Sequence, residues 1–194
     1  MFGYLEGKLV NLMPTQTYLD VGGVGYEVQL TLNTYEAISG KDSCRLYTHL
    51  QLREDAWVLY GFATETERSA FQRLLSVSGV GAATARILLS SLTAGDLNAI
   101  VLNGDSKALE KVKGIGAKTA QRIILELKGK LPEVVTGEFN ILPHNTKEND
   151  ALNALLGLGI SKAMAETAVR KAKTLAGSED ISVEEWIKSA LKNL

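Results

Sequence analysis

The feature of this sequence with the clearest chemical meaning is a pair of Gly-x-Gly turns in two similar segments. Residues 74–85 read LLSVSGVGAATA and residues 109–120 read LEKVKGIGAKTA, with seven of twelve positions identical at an offset of 35. A repeat at fixed spacing indicates one structural unit used twice. Apolar residues on both sides of each turn predict two short helices, so the turn exposes the unpaired N–H groups of a helix start. Such groups favour anions, and phosphate is the ligand they suit.

Three other interpretations of these glycines fit the sequence less well. A dinucleotide-binding loop follows a strand and has a third glycine, where this chain has Thr84 and Thr119. A P-loop places glycine directly before Lys-Thr and another five residues earlier, where Ala117 and Val112 stand. Ordinary helix-capping glycines would explain one such turn. They do not explain a duplicated turn whose second copy is surrounded by basic side chains, so phosphate binding is favoured.

A second chemical feature is the adjacent acid pair Glu54-Asp55, which lies in a turn-like segment between Leu50 and Val58. Paired acids at a turn are usually solvated and have no further role. Beside a phosphate-binding region they could instead repel phosphates, because like charges a few ångströms apart raise the energy. The residues alone leave both interpretations open.

Charge is distributed unevenly along the chain, although the total is −1. Residues 65–131 hold ten basic and six acidic side chains, a net charge of +4. Residues 1–64 carry −3 and residues 132–194 carry −2. Local charge, rather than the total, attracts a polyanion. The part of the chain that contains both turns is therefore the predicted nucleic-acid-binding part.

Length and composition limit the protein class. A chain of 194 residues with ordinary globular composition suits one to three small domains. The single cysteine, Cys44, excludes an internal disulfide framework and a cysteine-based metal cluster, so we expect no metal site. No apolar run reaches about 18 residues and the first residues do not resemble a signal peptide, which predicts a cytoplasmic protein without a membrane span.

The elements that must position these residues begin with a β-rich segment over residues 1–63. Five short strands and one helical turn near Thr34–Ile38 fit a small barrel such as an OB-fold. The predicted strands are Met1–Leu12, Thr17–Val21, Tyr26–Leu32, Cys44–His49 and Val58–Phe62.

Residues 64–131 are predicted to be all helical. Thr64 is the expected N-cap of a first helix over Glu65–Leu75, with Glu67 at its third position as in a capping box. Further helices are predicted near Ala94–Leu102 and Ser106–Val112. The helix after the second turn is expected to reach about Leu131, where Pro132 stops it.

Residues 132–147 contain two prolines and no periodicity, which predicts a flexible linker. Residues 148–194 then read as three short helices: one ending at Leu156, one over Lys162–Leu175 and one after a capping box at Ser182. The predicted fold class is thus α+β and multidomain, with an OB-fold barrel, a tandem helical domain and a small three-helix, UBA-like domain.

A small three-helix domain on a flexible tether is typical of a docking module rather than a catalytic one. Its candidate partner-facing residues are apolar. They are Leu155, Leu158, Ile160 and Leu191. Packing in the small core is the alternative role for each of them.

The two repeats resemble the helix-hairpin-helix motif, in which hairpin amides, hydroxyls and basic side chains hold DNA phosphates across the minor groove without sequence preference. Over its full length the chain is similar to the RuvA family, whose members bind Holliday junctions during branch migration. The resemblance is carried by the opening MFGYLEGKL, by VGGVGYEV at residues 21–28, by REDA and LYGF between Arg53 and Phe62, and by both hairpins.

The resemblance implies a homotetramer, or an octamer of two stacked tetramers, that holds a four-way DNA junction open and nearly square-planar. Glu54 and Asp55 match the family's acidic pin at the tetramer centre. The third domain would contact the hexameric ATPase RuvB, and the resolvase RuvC joins the same system. ATP and magnesium would be used by the partner motor, so no cofactor is expected here.

The resemblance and the turns together assign the DNA-binding residues. They are Gly79, Val80, Gly81, Thr84, Gly114, Ile115, Gly116, Lys118, Thr119 and Arg122. Family members often carry basic residues where this chain has Ala83 and Ala117. Backbone amides are therefore expected to dominate the contact at the first hairpin.

Two other functions are consistent with parts of the sequence. Helix-hairpin-helix DNA glycosylases place a Schiff-base lysine where Lys118 stands, but they also need an aspartate about 18 residues onward, where this chain has Thr136. A general DNA-binding adaptor without junction preference would also suit the hairpins, the acid pair and the tethered domain. The family resemblance favours the junction-binding function over both.

Overall fold

The protein, described by a computed structural model over residues 2–131, 147–176 and 182–192, forms two compact units. The first unit is Met1–Val135 and the second is Thr136–Leu194. The predicted linker lies outside the described residues except for its last residue, Lys147. In the described ranges, no single helix is long and apolar enough to cross a membrane. The helices Ala82–Ser91 and Ala94–Asn103 reach the required length and apolarity only as a pair, and a bend of 96° separates them.

The N-terminal strands close into a barrel, which confirms the OB-type prediction. Their order is β1-β2-β3-β5-β4, with β4 returning to β1. Only the β3–β5 pairing is parallel. The strands are β1 (Tyr4–Met13), β2 (Gln16–Val21), β3 (Val24–Leu30), β4 (Ser43–Leu52) and β5 (Trp57–Phe62). A short helix, α1 (Leu32–Ile38), connects β3 to β4.

Alternation along the strands places one set of apolar side chains inside the barrel. The side chains of Leu19, Val28 and Leu46 are completely buried. The helix α1 contributes Ile38 to the same core. The barrel therefore has a core of its own beneath the helices that follow.

Five helices complete the first unit. They are α2 (Glu65–Leu75), α3 (Ala82–Ser91), α4 (Ala94–Asn103), α5 (Ser106–Glu110) and α6 (Ala117–Leu127). Thr64 caps α2 as predicted, because its hydroxyl accepts a hydrogen bond from the Glu67 backbone N–H at 3.1 Å. The expected extension of the last helix to Leu131 is wrong. It ends at Leu127, and Gly129 turns the chain away with a φ of 71°.

The barrel and the helices share a core centred on one aromatic side chain. Phe71 of α2 is completely buried. Its ring centroid lies 4.9 Å from that of Phe62, 5.0 Å from that of Tyr60 and 5.5 Å from that of His49. Because those three rings belong to β4 and β5, this cluster fixes the helices on the barrel.

A buried carboxylate makes a second connection between the barrel and α2. Glu67 was expected to close a capping box, but its side chain accepts hydrogen bonds from the hydroxyls of Thr31 at 2.5 Å and Thr34 at 2.7 Å instead. Thr34 in turn accepts a hydrogen bond from the backbone N–H of Ala63. The capping-box prediction fails here because two long-range hydroxyls compete successfully for the same carboxylate.

Burial raises the pKa of the Glu67 carboxyl above its ordinary value of 4.5, although the hydrogen bonds from Thr31, Thr34 and Ala63 oppose the shift. The folded protein therefore holds this proton more tightly than the unfolded chain does. The resulting stability is fully present below about pH 4.5 and is lost as the pH rises through the folded-state pKa.

We expect the free energy of unfolding of the wild type, relative to Glu67→Gln, to rise between pH 7 and pH 4.5. Urea titrations of both proteins across this range measure the difference. Glu110→Gln removes an exposed carboxylate from α5 and is the matched control. A wild-type advantage over Glu67→Gln that stays constant with pH would contradict the account of Glu67.

The described residues of the second unit form three helices, α7 (Lys147–Gly157), α8 (Lys162–Ala176) and α9 (Val183–Lys192). The capping box at Ser182 is confirmed: Ser182 Oγ accepts from the Glu185 N–H at 3.2 Å, and Glu185 Oε2 accepts from the Ser182 N–H at 3.0 Å. The buried core is small and rich in alanine. Its members are Ala151, Leu155, Ala165, Ala168, Val169, Ala172 and Ala190.

Candidate nucleic-acid interface

The two Gly-x-Gly turns have nearly the same backbone geometry. The first glycines, Gly79 and Gly114, have φ values of 88° and 91°, a region that residues with a Cβ rarely adopt. The second glycines, Gly81 and Gly116, are the N-caps of α3 and α6, with φ of −90° and −89°. The sequence repeat is therefore a structural repeat, and each copy ends in a helix start.

The residues between the two glycines of each turn are buried. Val80 and Ile115 are each only 6% exposed and pack in the shared helical core. Their backbone N–H groups donate to the carbonyl oxygens of Val77 and Val112, at 3.0 and 3.1 Å. Because both the side chains and the N–H groups are occupied, Val80 and Ile115 hold the turn in shape, and direct contact of these two residues with DNA stays a prediction.

The groups that remain available are the N–H groups of the helix starts. Neither α3 nor α6 has a side-chain hydrogen bond at its N-cap. The first N–H groups of a helix have no intrahelical acceptor, and the helix dipole places positive potential on them. Gly81, Ala83, Gly116 and Lys118 are exposed at these ends, and Thr84 and Thr119 are half-buried beside them.

One side chain links the two turns. Arg122 of α6 donates from Nη1 to the backbone oxygen and to the hydroxyl of Ser78, both at 3.2 Å. Ser78 directly precedes the first glycine of the first turn. Arg122 therefore lies at the first hairpin although it belongs to the second. Its side chain is exposed, and its guanidinium has further N–H donors for a phosphate.

The two hairpins differ in charge. At the position where the second hairpin has the exposed Lys118, the first has the exposed Ala83. Where the second has Arg122, the first has Ile87, which is 43% exposed. The cationic side chains are thus concentrated on the second hairpin, while the first offers mainly backbone groups.

The acid pair lies at the tip of the β4–β5 hairpin. The N–H of Arg53 donates to the oxygen of Ala56 at 2.9 Å, which closes a tight turn around Glu54 and Asp55. Both acids are exposed. The two carboxylates therefore project from the barrel as a compact negative tip.

Sequence reasoning missed two residues near these elements. Trp57 pairs with Leu52 at the base of the acidic turn, and the two side chains are 79% and 62% exposed. Arg86 of α3 donates from Nη1 to Gln29 Oε1 of the barrel at 2.6 Å. A tryptophan next to a strand normally indicates a buried core residue, so the sequence did not predict that Trp57 is exposed. Arg86 has no basic counterpart in the second repeat, so the repeat did not single it out.

The candidate docking residues of the second unit do not all reach its surface. The assignment of Leu155 is wrong, because its side chain is completely buried in the three-helix core. Ile160 is partly buried and packs against the same core. Leu158 and Leu191 are 64% and 41% exposed and remain available to a partner.

No cluster of metal-ligating side chains is found within the described ranges. Among those residues, no three His, Cys, Asp or Glu side chains come together in a way that could hold a metal ion. The polar groups gathered at the hairpins are N–H donors, hydroxyls and cations, which suit phosphate rather than a metal.

An OB-type barrel joined to a tandem of helical hairpins, with a separate three-helix unit, defines the architectural class of this protein. Three family descriptions match the chain in the same order. They are the RuvA N-terminal domain over residues 1–61, the SAM-like helix-hairpin-helix tandem over residues 71–130 and the RuvA C-terminal domain over residues 146–194.

Relatives match over the whole chain. Proteins from Christiangramia forsetii, Flavobacterium psychrophilum and Porphyromonas gingivalis are 41%, 42% and 43% identical, with all of this chain and all of each relative covered. Each of the three is named Holliday junction branch migration complex subunit RuvA. The chain belongs to the RuvA family.

Proposed function

We propose that this protein binds four-way (Holliday) DNA junctions without sequence specificity, holds them open and square-planar, and recruits the RuvB ATPase motor for branch migration in recombination and repair. The observation that carries the proposal is the pair of matching hairpin turns, joined by the hydrogen bonds from Arg122 to Ser78. The names of the full-length relatives support junction DNA as the ligand.

Each hairpin suits the sugar–phosphate backbone rather than the bases. N–H groups at a helix start donate to a phosphate whatever the neighbouring base is, and Lys118 and Arg122 add charge on α6. Two such sites would hold phosphates across the minor groove of one DNA arm. The expected binding is therefore strongly dependent on salt and weakly dependent on sequence.

The acidic turn would act at the crossover rather than on the arms. Glu54 and Asp55 present two exposed carboxylates on a tight turn. Brought near DNA strands, they repel phosphates and favour separation of the strands at the junction centre. This negative tip opposes binding locally, while the hairpins supply the affinity.

The assembly that suits this division of labour is a homotetramer, or two stacked tetramers, with one hairpin pair for each arm. The protein acts as a non-catalytic, cytoplasmic subunit: ATP and magnesium are used by RuvB, and RuvC cuts the same junction. The exposed Leu158 and Leu191 of the second unit are the proposed contacts for RuvB.

The proposed geometry is tested by fluorescence energy transfer between dyes on the arms of a synthetic junction. In magnesium, free junctions stack their arms in pairs, so binding should change all inter-arm efficiencies toward those of four arms at right angles. Stacked-arm efficiencies that persist in the saturated complex would contradict the open, square-planar assignment.

Neutralising the acid pair tests its role separately. Glu54→Gln combined with Asp55→Asn should keep or tighten junction binding, because it removes two charges that repel phosphate, while it alters branch migration driven by RuvB. Gel-shift titration and a strand-exchange assay measure the two effects. A variant that migrates junctions at the wild-type rate would remove the proposed role of the acidic turn, and circular dichroism checks that it folds.

A further inference from the structure

A groove lies between the barrel and the first hairpin helix, and the site described above does not use it. Its volume is about 420 Å³, within the range of about 300–1,000 Å³ typical of small-molecule sites. Its main lining residues are Glu27, Gln29, Trp57, Tyr60, Ala83 and Arg86. The lining therefore combines a large exposed aromatic ring, a cation and one acid.

The aromatic wall is Trp57. Its side chain is 79% exposed, although tryptophan is usually buried or covered by a partner. Trp57 is separated from the acidic turn only by Ala56, so it lies where strands are proposed to be pulled apart. An exposed indole offers a flat face on which any base can stack, and such stacking tolerates all sequences.

The cation in the groove is Arg86. Its Nη1 donates to Gln29 Oε1 at 2.6 Å, and Gln29 Nε2 donates to Glu27 Oε1 at 3.3 Å. This chain of hydrogen bonds holds the half-buried guanidinium against the barrel. A guanidinium carries five N–H donors, so a single bond to Gln29 leaves donors for a phosphate in the groove.

The groove also continues into the first hairpin. Ala83 lines it and lies in the first turn of α3, directly beside the exposed N–H groups of that helix start. The basic side chain that the second hairpin has at this position, Lys118, is missing here. Its absence leaves the space open, and Arg86 supplies a cation from three residues further along α3.

We infer that this groove is a subsite for an unpaired nucleotide, with its base stacked on Trp57 and its phosphate bound by Arg86. The inference rests on the proposed function, because the acidic turn beside Trp57 is what would create unpaired nucleotides. The polarity follows from charge: the acidic turn repels phosphate from the Trp57 end, and Arg86 attracts it at the other.

Tryptophan emission gives a direct readout. The chain contains two tryptophans, Trp57 and Trp186, so Trp186→Phe leaves Trp57 as the only tryptophan, which is excited selectively at the red edge of protein absorption. The probes are a fully paired junction, the same junction with unpaired thymines at its centre, and a duplex with an internal loop of the same thymines. Trp57 emission should be quenched by both DNAs that carry unpaired thymines.

Affinity provides the second readout. Trp57→Ala should weaken binding to the thymine-containing junction by about fivefold or more, while binding to the fully paired junction changes less. Trp57→Phe should restore most of the difference, because a phenyl ring also stacks. Arg86→Gln should lower the salt dependence of binding to the same probe. Val24→Ala, which truncates another exposed apolar side chain of the barrel, is the matched control.

The outcomes separate this inference from the proposed function. Unquenched emission together with equal affinities of wild type and Trp57→Ala for all three probes would overturn the inference, even if junction preference is normal. A change in the sedimentation mass of DNA-free Trp57→Ala would also overturn it, since Trp57 would then cover a subunit contact. If the wild type lacks junction preference, the proposed function fails, and the looped duplex still decides whether the groove binds an unpaired base.

Discussion

Replacing both Lys118 and Arg122 with alanine is expected to lower the affinity for a four-way junction by roughly a hundredfold or more at physiological salt. Each side chain is exposed at a helix start and can donate to a phosphate, and hydrogen bonds to charged groups are worth about 1.5–3 kcal/mol. The slope of log affinity against log salt should also become shallower, by about 0.9 for each phosphate that the variant no longer neutralises.

The matched control removes the same charge from the far end of α6. Lys128→Ala with Lys130→Ala takes away two cations beyond Leu127, about 15 Å along the helix from Lys118. This control should bind with nearly the wild-type affinity and slope. Equally weakened binding by the two double variants would mean that general charge, and not the hairpin geometry, determines binding. The single variant Lys118→Ala removes one charge from the second hairpin and keeps the hydrogen bonds from Arg122 to Ser78. Its affinity therefore measures the effect of that charge without loss of the link between the hairpins.

Phe71→Ala is expected to have the largest effect on stability, about 3–5 kcal/mol. The Phe71 ring is completely buried and contacts the rings of His49, Tyr60 and Phe62. Its removal leaves a cavity at the boundary between the barrel and α2. Calorimetry of the full chain should show a lower transition temperature for the first unit and an unchanged transition for the second.

Phe2→Ala serves as the control for removing an aromatic ring. Phe2 lies on the barrel, is 42% exposed and stacks edge-on against the ring of Tyr26, so a destabilisation of no more than about 1 kcal/mol is expected. If Phe71→Ala cost no more than this, the aromatic cluster would not be what fixes the hairpins on the barrel.

The local features of the fold were predictable because their signals are local. The repeat placed both hairpins, Thr64 and Ser182 marked helix starts, and turn residues divided the strands. The helix that ends at Leu127 was predicted too long because Pro132 is a strong stop signal and Gly129 a weaker one, yet the positive φ of Gly129 ends the helical path earlier.

The features that sequence could not supply are long-range. Glu67 meets Thr31 and Thr34 across more than thirty residues, and Arg122 meets Ser78 across 44. No periodicity encodes such contacts. Leu155 is a candidate docking residue by sequence because an apolar residue on a short helix gives the same pattern whether it faces a core or a partner. Only the packing of the three helices shows that Leu155 is buried.

The most direct test of the central claim is a gel-shift competition between a four-way junction and a linear duplex of the same sequence, at two salt concentrations. We expect discrete, stoichiometric complexes with the junction, a preference that persists at the higher salt, and a slope that indicates several phosphate contacts per protomer. Equal affinity for junction and duplex would contradict junction recognition and leave a general helix-hairpin-helix DNA binder.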